Sequence, residues 1–383
     1  MKLAICHPFL YTRGGAEKVV LKVAEHFNAK IYCAFYEPEK TFPEFKDCDI
    51  EVPKTRFFNY TPHQIPIRVR HSVTAGHIFY NKVLPSDYDV INAQGTPSEW
   101  IRHRNSPVIW YCHSPNREAF DLYNYRMSKR SLPEKLLYWF AIQAYHFFEQ
   151  QTVQKIEYIF ANSANTQGRV KKYLNRDAEI LHPGIDYNEF HCSGYEHFFF
   201  YPSRITPEKR FEYVIDAFRE FKKKNRRFKD WKLVIAGSLL ASRPEHLAYY
   251  ERIKRYLGSD GRIVLDLSND DLISLYSRCY SVLYSPINED FGIVPLEGMA
   301  SYKPVIAVNE GGPREIVING KTGFLVNSPS EMADRMAYLA ERPELAEEMG
   351  RNGRGCVEEK FSWERFLKRF EEVCEKVKRQ QSA

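Results

Sequence analysis

LAICHPFLYTRGGAEKVVLKVAEHFNAKIYCAFY, residues 3–36, sets the alternation of elements that the rest of this chain follows. Leu3-Ala4-Ile5-Cys6 is an apolar run of strand length. Gly14-Gly15 interrupts it. From about Ala16 to Phe27 a helix is expected, with Val19, Val20, Val23 and Phe27 recurring on one face, and Ile31 to Phe35 reads as a second strand. Strand, helix and strand in this order form a βαβ unit, which builds parallel sheets.

The same alternation continues outward. Val90-Ile91-Asn92, Val108 to Cys112 and Tyr158 to Asn162 read as further strands, with a long helix from about Pro133 to Gln154 before the last. A second series opens near residue 197. Its expected strands are Phe198–Pro202, Lys232–Ala236, Ile263–Leu267, Ser281–Ser285, Val305–Val308 and Phe324–Val326, with a helix over about Arg210–Lys224 and another starting near Val294. The fold class is therefore α/β, with two Rossmann-like parallel-sheet domains. Turn residues concentrate at His182-Pro183-Gly184-Ile185-Asp186 and in the polar stretch up to His197, which places the domains at 1–190 and 191–361. Two such domains facing each other would set a ligand cleft at the carboxyl ends of both sheets.

Size and composition agree. A chain of 383 residues exceeds one typical domain, and 44% hydrophobic against 27% charged residues is a globular balance. The net charge of +6 is too mild to imply nucleic-acid binding. Its distribution is uneven. Between Glu51 and Asp87 there is no carboxylate, while Lys54, Arg56, Arg68, Arg70 and Lys82 stand there with His63, His71 and His77, interleaved with Phe57, Phe58, Tyr60, Phe79 and Tyr80. Such a segment suits either contact with anionic lipid headgroups or phosphate, or a solvated face over core aromatics. The 8 cysteines show no CxxC pair and no metal spacing, so a reducing compartment is expected. The opening residues do not read as a signal peptide, and no apolar run reaches the length of a membrane span. Leu136 to Phe148 comes nearest and reads as a buried or interfacial helix. The expected location is cytoplasmic, peripheral on the cytoplasmic membrane face.

Five stretches carry possible chemistry. In Arg13-Gly14-Gly15-Ala16-Glu17, two glycines at a helix amino terminus permit close approach of an anion, though many α/β turns contain glycines for geometry alone. Arg204 follows a strand end and Lys209 precedes a helix; two cations at the carboxyl edge of a parallel sheet can neutralise a diphosphate, with arginine forking across two oxygens. Glu289-Asp290-Phe291-Gly292-Ile293-Val294-Pro295-Leu296-Glu297 is the sharpest signal. It puts Glu289 in a loop and Glu297 a turn inside a helix, while Phe291, Gly292 and the amides of Ile293 and Val294 are placed for sugar hydroxyls or phosphate. The turn Gly311-Gly312-Pro313 admits a binding role or a purely structural one. His113, at the end of a first-domain strand, would face the cleft from the other side. Asp87-Tyr88-Asp89 has the look of a metal-binding triplet but opens a strand at the amino edge of its sheet, so no metal is assigned.

Taken together these residues resemble glycosyltransferase family 4, retaining enzymes of the GT-B fold. The likeness runs from Gly14-Gly15 to Phe361-Ser362-Trp363-Glu364, and the stretch from Glu289 to Glu297 matches the family's motif throughout. Within the family the chain is most similar to mannosyltransferases of dolichol-linked or O-antigen-type glycan assembly, on Gly14-Gly15-Ala16-Glu17-Lys18, Cys112-His113 with Pro115, and Val294 through Gly311-Gly312-Pro313. Ser114 and Asn116 depart from the aromatic and acidic residues expected around the histidine, which bears on the acceptor.

The resemblance implies that residues 362–383 return to the first domain. It implies catalytic roles for Arg204 and Lys209 on the donor diphosphate, Glu289 on hydroxyls of the transferred sugar and His113 near its reacting carbon. Gly14, Gly15, Phe291, Gly292, Ile293, Val294 and Glu297 would bind the donor, with Glu297 on the ribose. The implied donor is a nucleotide sugar, GDP-mannose, used as substrate without cofactor or metal, and the implied acceptor is a glycan or a polyprenyl-linked oligosaccharide. A UDP-sugar-dependent transferase of the family and a GT-B-fold sugar-nucleotide epimerase stand as rivals. A glycosidase built on Glu289 and Glu297, and a scaffold without catalysis, are the remaining alternatives.

Overall fold

The computed structural model describes residues 1–60, 67–128, 130–224, 226–239 and 244–381. His63 of the basic segment lies outside the described residues, and so does the side chain of Arg68. The chain divides into two compact units, Met1–Pro183 with Glu364–Ala383, and Gly184–Trp363. The first division comes earlier than the expected 190/191, and hydrogen bonds explain it. Leu181 is still held by the first unit, donating to Ala161 O at 2.9 Å and accepting from the Tyr111 hydroxyl at 2.8 Å. Ile185 donates at 2.9 Å to Phe361 O, in the second unit.

Among the described residues, the first unit holds seven strands: β1 (Leu3–Leu10), β2 (Lys30–Tyr36), β3 (Ile50–Glu51), β4 (Val90–Gln94), β5 (Val108–Cys112), β6 (Tyr158–Ala161) and β7 (Glu179–Ile180). Their order is β3-β2-β1-β4-β5-β6-β7 and every pairing is parallel. β4 and β5 are buried along their whole length, as a sheet covered on both faces requires. β1 runs four residues past the expected Cys6, through Pro8. Its pairing with β4 ends at Cys6↔Ala93, while pairing with β2 continues to Leu10↔Tyr36. Pro8, which lacks an N–H, therefore sits where β1 has a partner on one side only.

The helix Trp363–Gln381 contributes its length from Glu364 to this first unit. Phe366 stacks edge-on against Tyr111, Phe370 lies 6.0 Å from Phe27, and Arg369 forks onto Glu179 at 2.7 and 2.9 Å.

Among the described residues, the second unit holds β8 (Phe198–Pro202), β9 (Lys232–Gly237), β10 (Gly261–Leu265), β11 (Ser281–Tyr284), β12 (Val305–Val308) and β13 (Gly323–Val326). They are ordered β10-β9-β8-β11-β12-β13, again parallel throughout. β10 starts and ends two residues before the expected Ile263–Leu267, because Gly261 and Arg262 look like turn residues yet pair with Leu233 and Val234. In both sheets the chain winds outward from a central strand and then reverses, so each has a switch point, between β1 and β4 and between β8 and β11.

Among the described residues, three helices of 10 residues or more escaped the sequence reading: Ile67–Asn81, Pro244–Leu257 and Asn269–Arg278. In the first, Arg70 turns inward, its guanidinium donating to Phe58 O at 3.2 Å and stacking on the Phe58 ring, while Phe79 is wholly buried. Lys82 pairs with Glu51 at 2.8 Å. Arg70 is thus unavailable to a headgroup, which corrects one member of the expected basic face. In the helix Leu132–Val153, by contrast, several large apolar side chains are exposed. No helix among the described residues is long and apolar enough to cross a membrane.

Candidate functional site

In the second unit the residues that follow β8 and β11 flank the switch point. After β8 the backbone is held by Ser203 N on Ala236 O at 2.8 Å and Ile205 N on Ser238 O at 3.0 Å. Arg204 between them is exposed. Lys209 is not. It is buried, and its Nζ donates to Glu289 Oε2 at 2.7 Å. Two residues singled out separately, 80 positions apart, form one ion pair. Lys209 is held in place by its own carbonyl, which accepts from the Tyr201 hydroxyl and from Ser285 Oγ at 3.2 Å. Arg210, in left-handed backbone at φ 51°, staples the loop after β11 through Nε on Ser285 O at 2.6 Å and a terminal nitrogen on Glu310 at 3.0 Å.

The helix Ile293–Ala300 begins immediately after Gly292, whose φ of 99° is accessible to glycine and strained for other residues. A side chain there would come within 3.0 Å of the Tyr284 ring. Glu297 lies half-buried a turn inside the helix and accepts from the Tyr276 hydroxyl. Burial pushes its carboxyl above the usual range, against the Tyr276 hydrogen bond. Phe291 is buried.

Tyr284 is the residue missed by the sequence reading. It is the last residue of β11, and its hydroxyl is raised well above the ordinary value, first by burial and then by the charges of Glu289, Tyr201 and Glu297, with Arg204 opposing. One phenol therefore senses three of the four charged residues singled out for the donor. Its place in an apolar strand gave no sign of this.

The Gly311-Gly312 turn has a structural role in this unit. Gly312 N donates to Glu289 O at 2.9 Å. A Cβ on Gly311 would stand 2.4 Å from Glu289 O, and one on Gly312 2.0 Å from Phe291 O. The two glycines let the loop Glu289–Phe291 lie directly on the next turn.

In the first unit, Gly14 precedes the helix Gly15–Phe27 without a side-chain cap. Gly15 is exposed, and a Cβ there would meet nothing within 4 Å. Glu17, quoted in the motif but given no role, is buried, accepts from Thr12 Oγ1 at 2.7 Å, and lies 2.7 Å from where a Gly14 side chain would be.

His113 follows β5. Its Nε2 is 3.2 Å from Gln94 Oε1, and Gln94 Nε2 donates to Asn92 Oδ1 at 2.7 Å. That second bond fixes the Gln94 amide with its oxygen toward the imidazole, so Nε2 carries the proton and Nδ1 is left an acceptor. Burial, and next the neighbouring His7, push His113 down to about 3. The ring is neutral at physiological pH.

A consequence is testable. The folded value lies below the ordinary 6.5, so the unfolded chain binds the proton first. Stability is held above about pH 6.5 and declines as the pH falls toward 3. Thermal melts between pH 7 and 4 should show this decline, and His113→Gln should make it shallower. An identical slope in the variant would refute it.

Asp87 and Asp89 are engaged at the amino edge of the first sheet. Lys2 pairs with Asp87, the Lys2 amide donates to Asp89 at 2.7 Å, and Lys378 approaches Asp89 at 3.2 Å.

Residues 13–189 match the family described as Glycosyltransferase Family 4, and residues 192–355 the family Glycosyl transferases group 1. The chain is a glycosyltransferase built of these two family domains. Among relatives of this glycosyltransferase is the alpha-1,3/1,6-mannosyltransferase ALG2 of Dictyostelium discoideum, 27% identical with 98% of each chain covered. The protein of the same description from Homo sapiens is 27% identical over 95% of this chain and 93% of that one. Among solved structures, sucrose-phosphate synthase from Thermosynechococcus elongatus superposes with a TM-score of 0.75 at 17% identity, covering 98% of this chain and 99% of that one. Anabaena HepE, in complex with UDP-glucose, gives 0.73 at 17% identity, covering 98% and 100%. The GT-B fold expected from the motifs is the fold of this chain.

Proposed function

We propose that this glycosyltransferase is a retaining mannosyltransferase that uses GDP-mannose and acts on a lipid-linked glycan. The observation that carries the reading is the Lys209–Glu289 ion pair at the switch point of the second sheet, on a chain whose full-length relatives include alpha-1,3/1,6-mannosyltransferases. Arg204 and Lys209 are assigned to the donor diphosphate. As the sugar–phosphate bond breaks, its electron pair goes to the diphosphate oxygen, and these cations bind that growing charge better than the ground state. Glu289 takes hydroxyls of the transferred sugar, and holds Lys209 in position before the donor arrives. Glu297 takes the ribose, and the backbone from Phe291 to Val294 takes phosphate or sugar. His113, neutral with Nδ1 free to accept, is assigned to the sugar near its reacting carbon. The acceptor hydroxyl enters on the face the diphosphate leaves, and its proton passes to the departing phosphate oxygen. No metal takes part in this scheme.

Gly14 and Gly15 are assigned to phosphate or acceptor approach. Gly15→Ala separates that role from folding, because a methyl group there meets nothing within the unit. Stability is expected to hold or rise by up to about 1 kcal/mol, while kcat/KM falls about tenfold or more from displaced ligand. Unchanged kinetics would remove Gly15 from the site.

The function is tested by thermal-shift titration with GDP-mannose, UDP-glucose and UDP-N-acetylglucosamine, followed by transfer of labelled mannose to a polyprenyl diphosphate-linked oligosaccharide. Stabilisation by a UDP-sugar alone would make this a UDP-dependent transferase. Epimerised sugar nucleotide formed without acceptor would make it an isomerase.

A further inference from the structure

The helix Leu132–Val153 in the first unit is inside out. Its inward face carries Ile142, Val153, Glu149 and Thr152, all buried, with Glu149 accepting from the Trp100 indole at 2.7 Å. Its outward face carries Leu132, Leu136, Leu137, Trp139, Phe140 and Phe147, all exposed, with Leu132 at 80%, Leu137 at 66% and Phe147 at 59%. At 100° per residue these six span an arc of about 160°, opposite the buried face, and the stripe runs for about 22 Å. A soluble surface seldom leaves so many large apolar side chains together on one helix.

We propose that this outward face of Leu132–Phe147 docks in the headgroup–acyl boundary of an anionic membrane. Charge selects that occupant. No carboxylate stands between Asp121 and Glu134, where Lys129 and Arg130 lie beside Arg126, itself paired with Glu118 at 2.7 Å, and none between Glu134 and Glu149. The neighbouring helix Ile67–Asn81 packs on the same turn, Ser98–His103, and Tyr80 and Phe148 join the two at 5.0 Å between rings. It exposes Val69 and Val73 in a segment, 52–86, that also lacks any carboxylate and presents Lys54 and Arg56 to solvent. A two-fold pair of copies would bring each of these basic segments close to its own like. An anionic lipid surface receives both the apolar stripe and the cations around it. Trp139 suits the depth at which indoles concentrate.

The helix runs from the carboxyl edge of its sheet, where β5 ends and His113 follows, back to the start of β6. Its Leu132 end is therefore on the edge that carries His113. Resting on the proposal of a lipid-linked acceptor, the docked helix would bring that edge to the membrane in which the acceptor is anchored.

The full chain is mixed with vesicles of phosphatidylcholine and phosphatidylglycerol, or of phosphatidylcholine alone, and with the nucleotide sugar in a separate thermal-shift measurement. Co-sedimentation with the anionic vesicles and a blue shift of tryptophan emission are expected. Leu136→Asp combined with Phe140→Asp, both pointing to solvent, should weaken vesicle binding by about tenfold or more and abolish the shift, while donor-induced stabilisation is unchanged. Undiminished vesicle binding by this variant would overturn the proposal. So would a wild-type dimer in light scattering that the variant converts to monomer with no vesicle binding in either, since the occupant is then a second copy. Donor binding is read independently, so failure of the transferase reading shows in the thermal shift and not in sedimentation.

Discussion

Lys209→Ala is expected to reduce transfer by about 10³-fold or more and to lower stability as well. The first effect follows from removing a fixed cation at the departing diphosphate, where a single preorganised electrostatic contact is worth about 10²–10³ in rate and a charge directly on a transferring phosphate about 10³–10⁵. The second follows from burial. Lys209 keeps 9% of its side-chain surface and Glu289 24%, so deleting the lysine leaves a carboxylate mostly out of water without its partner. Breaking a fully buried pair on one side costs about 3–5 kcal/mol, and Glu289's remaining exposure brings this nearer about 2 kcal/mol. From the sequence, Lys209 stands at an open edge where substitution would leave folding intact; the structure corrects that. Glu289→Gln, which keeps an acceptor for Lys209, should lose transfer with a smaller fall in melting temperature. The decisive comparison is the double variant Lys209→Met with Glu289→Leu. It removes both charges, so it should recover stability relative to Lys209→Ala, by urea or thermal unfolding, and recover no activity. Measurable transfer by the double variant would show that neither charge acts on the donor.

What was legible from sequence differs between fold and site for a physical reason. Parallel strands covered on both faces must be apolar throughout, so β8 and β12 could be delimited from composition alone. β3 and β7 could not, because two residues at a sheet edge carry no pattern, and Gly261-Arg262 concealed the start of β10 behind turn-like residues. At the site, the motif from Glu289 to Glu297 marked both glutamates by their spacing, yet the Lys209–Glu289 contact depends on two strand ends meeting across β8 and β11. Tyr284 belongs to the same category: as a residue it is one more aromatic in a strand, and its setting among Arg204, Glu289 and Glu297 exists only once the sheet forms. Gln94 likewise selects the His113 tautomer through a bond between adjacent strands. For the helix Leu132–Val153 the sequence leaves a buried and an interfacial reading open, because its apolar residues pass more than halfway round the axis and periodicity cannot say which side faces water.

Gly312→Ala is expected to disable the site from outside it. The added methyl would stand 2.0 Å from Phe291 O and 2.4 Å from its Cα, contacts with backbone and not with a side chain that can swing away. The loop Glu289–Phe291 must then lift, and the bond from Gly312 N to Glu289 O at 2.9 Å breaks. Overpacking of this kind costs about 1–3 kcal/mol, which a domain with this core survives. The catalytic loss should be larger, about 10²-fold, because Glu289 is displaced by about an ångström or more from Lys209 and from the sugar. Measured together, kcat/KM should collapse while the melting temperature falls modestly and the far-ultraviolet spectrum is retained. Gly320→Ala provides the control: Gly320 has left-handed backbone at φ 78°, whereas Gly312 is right-handed at φ -60°, and the missing side chain of Gly320 faces open space. It should therefore show the strain cost alone, with transfer preserved. If both variants lost activity equally, general weakening of the second unit would account for the effect. If Gly312→Ala alone does, the turn acts by seating the acidic loop, and the paired glycines serve the chemistry without touching the donor.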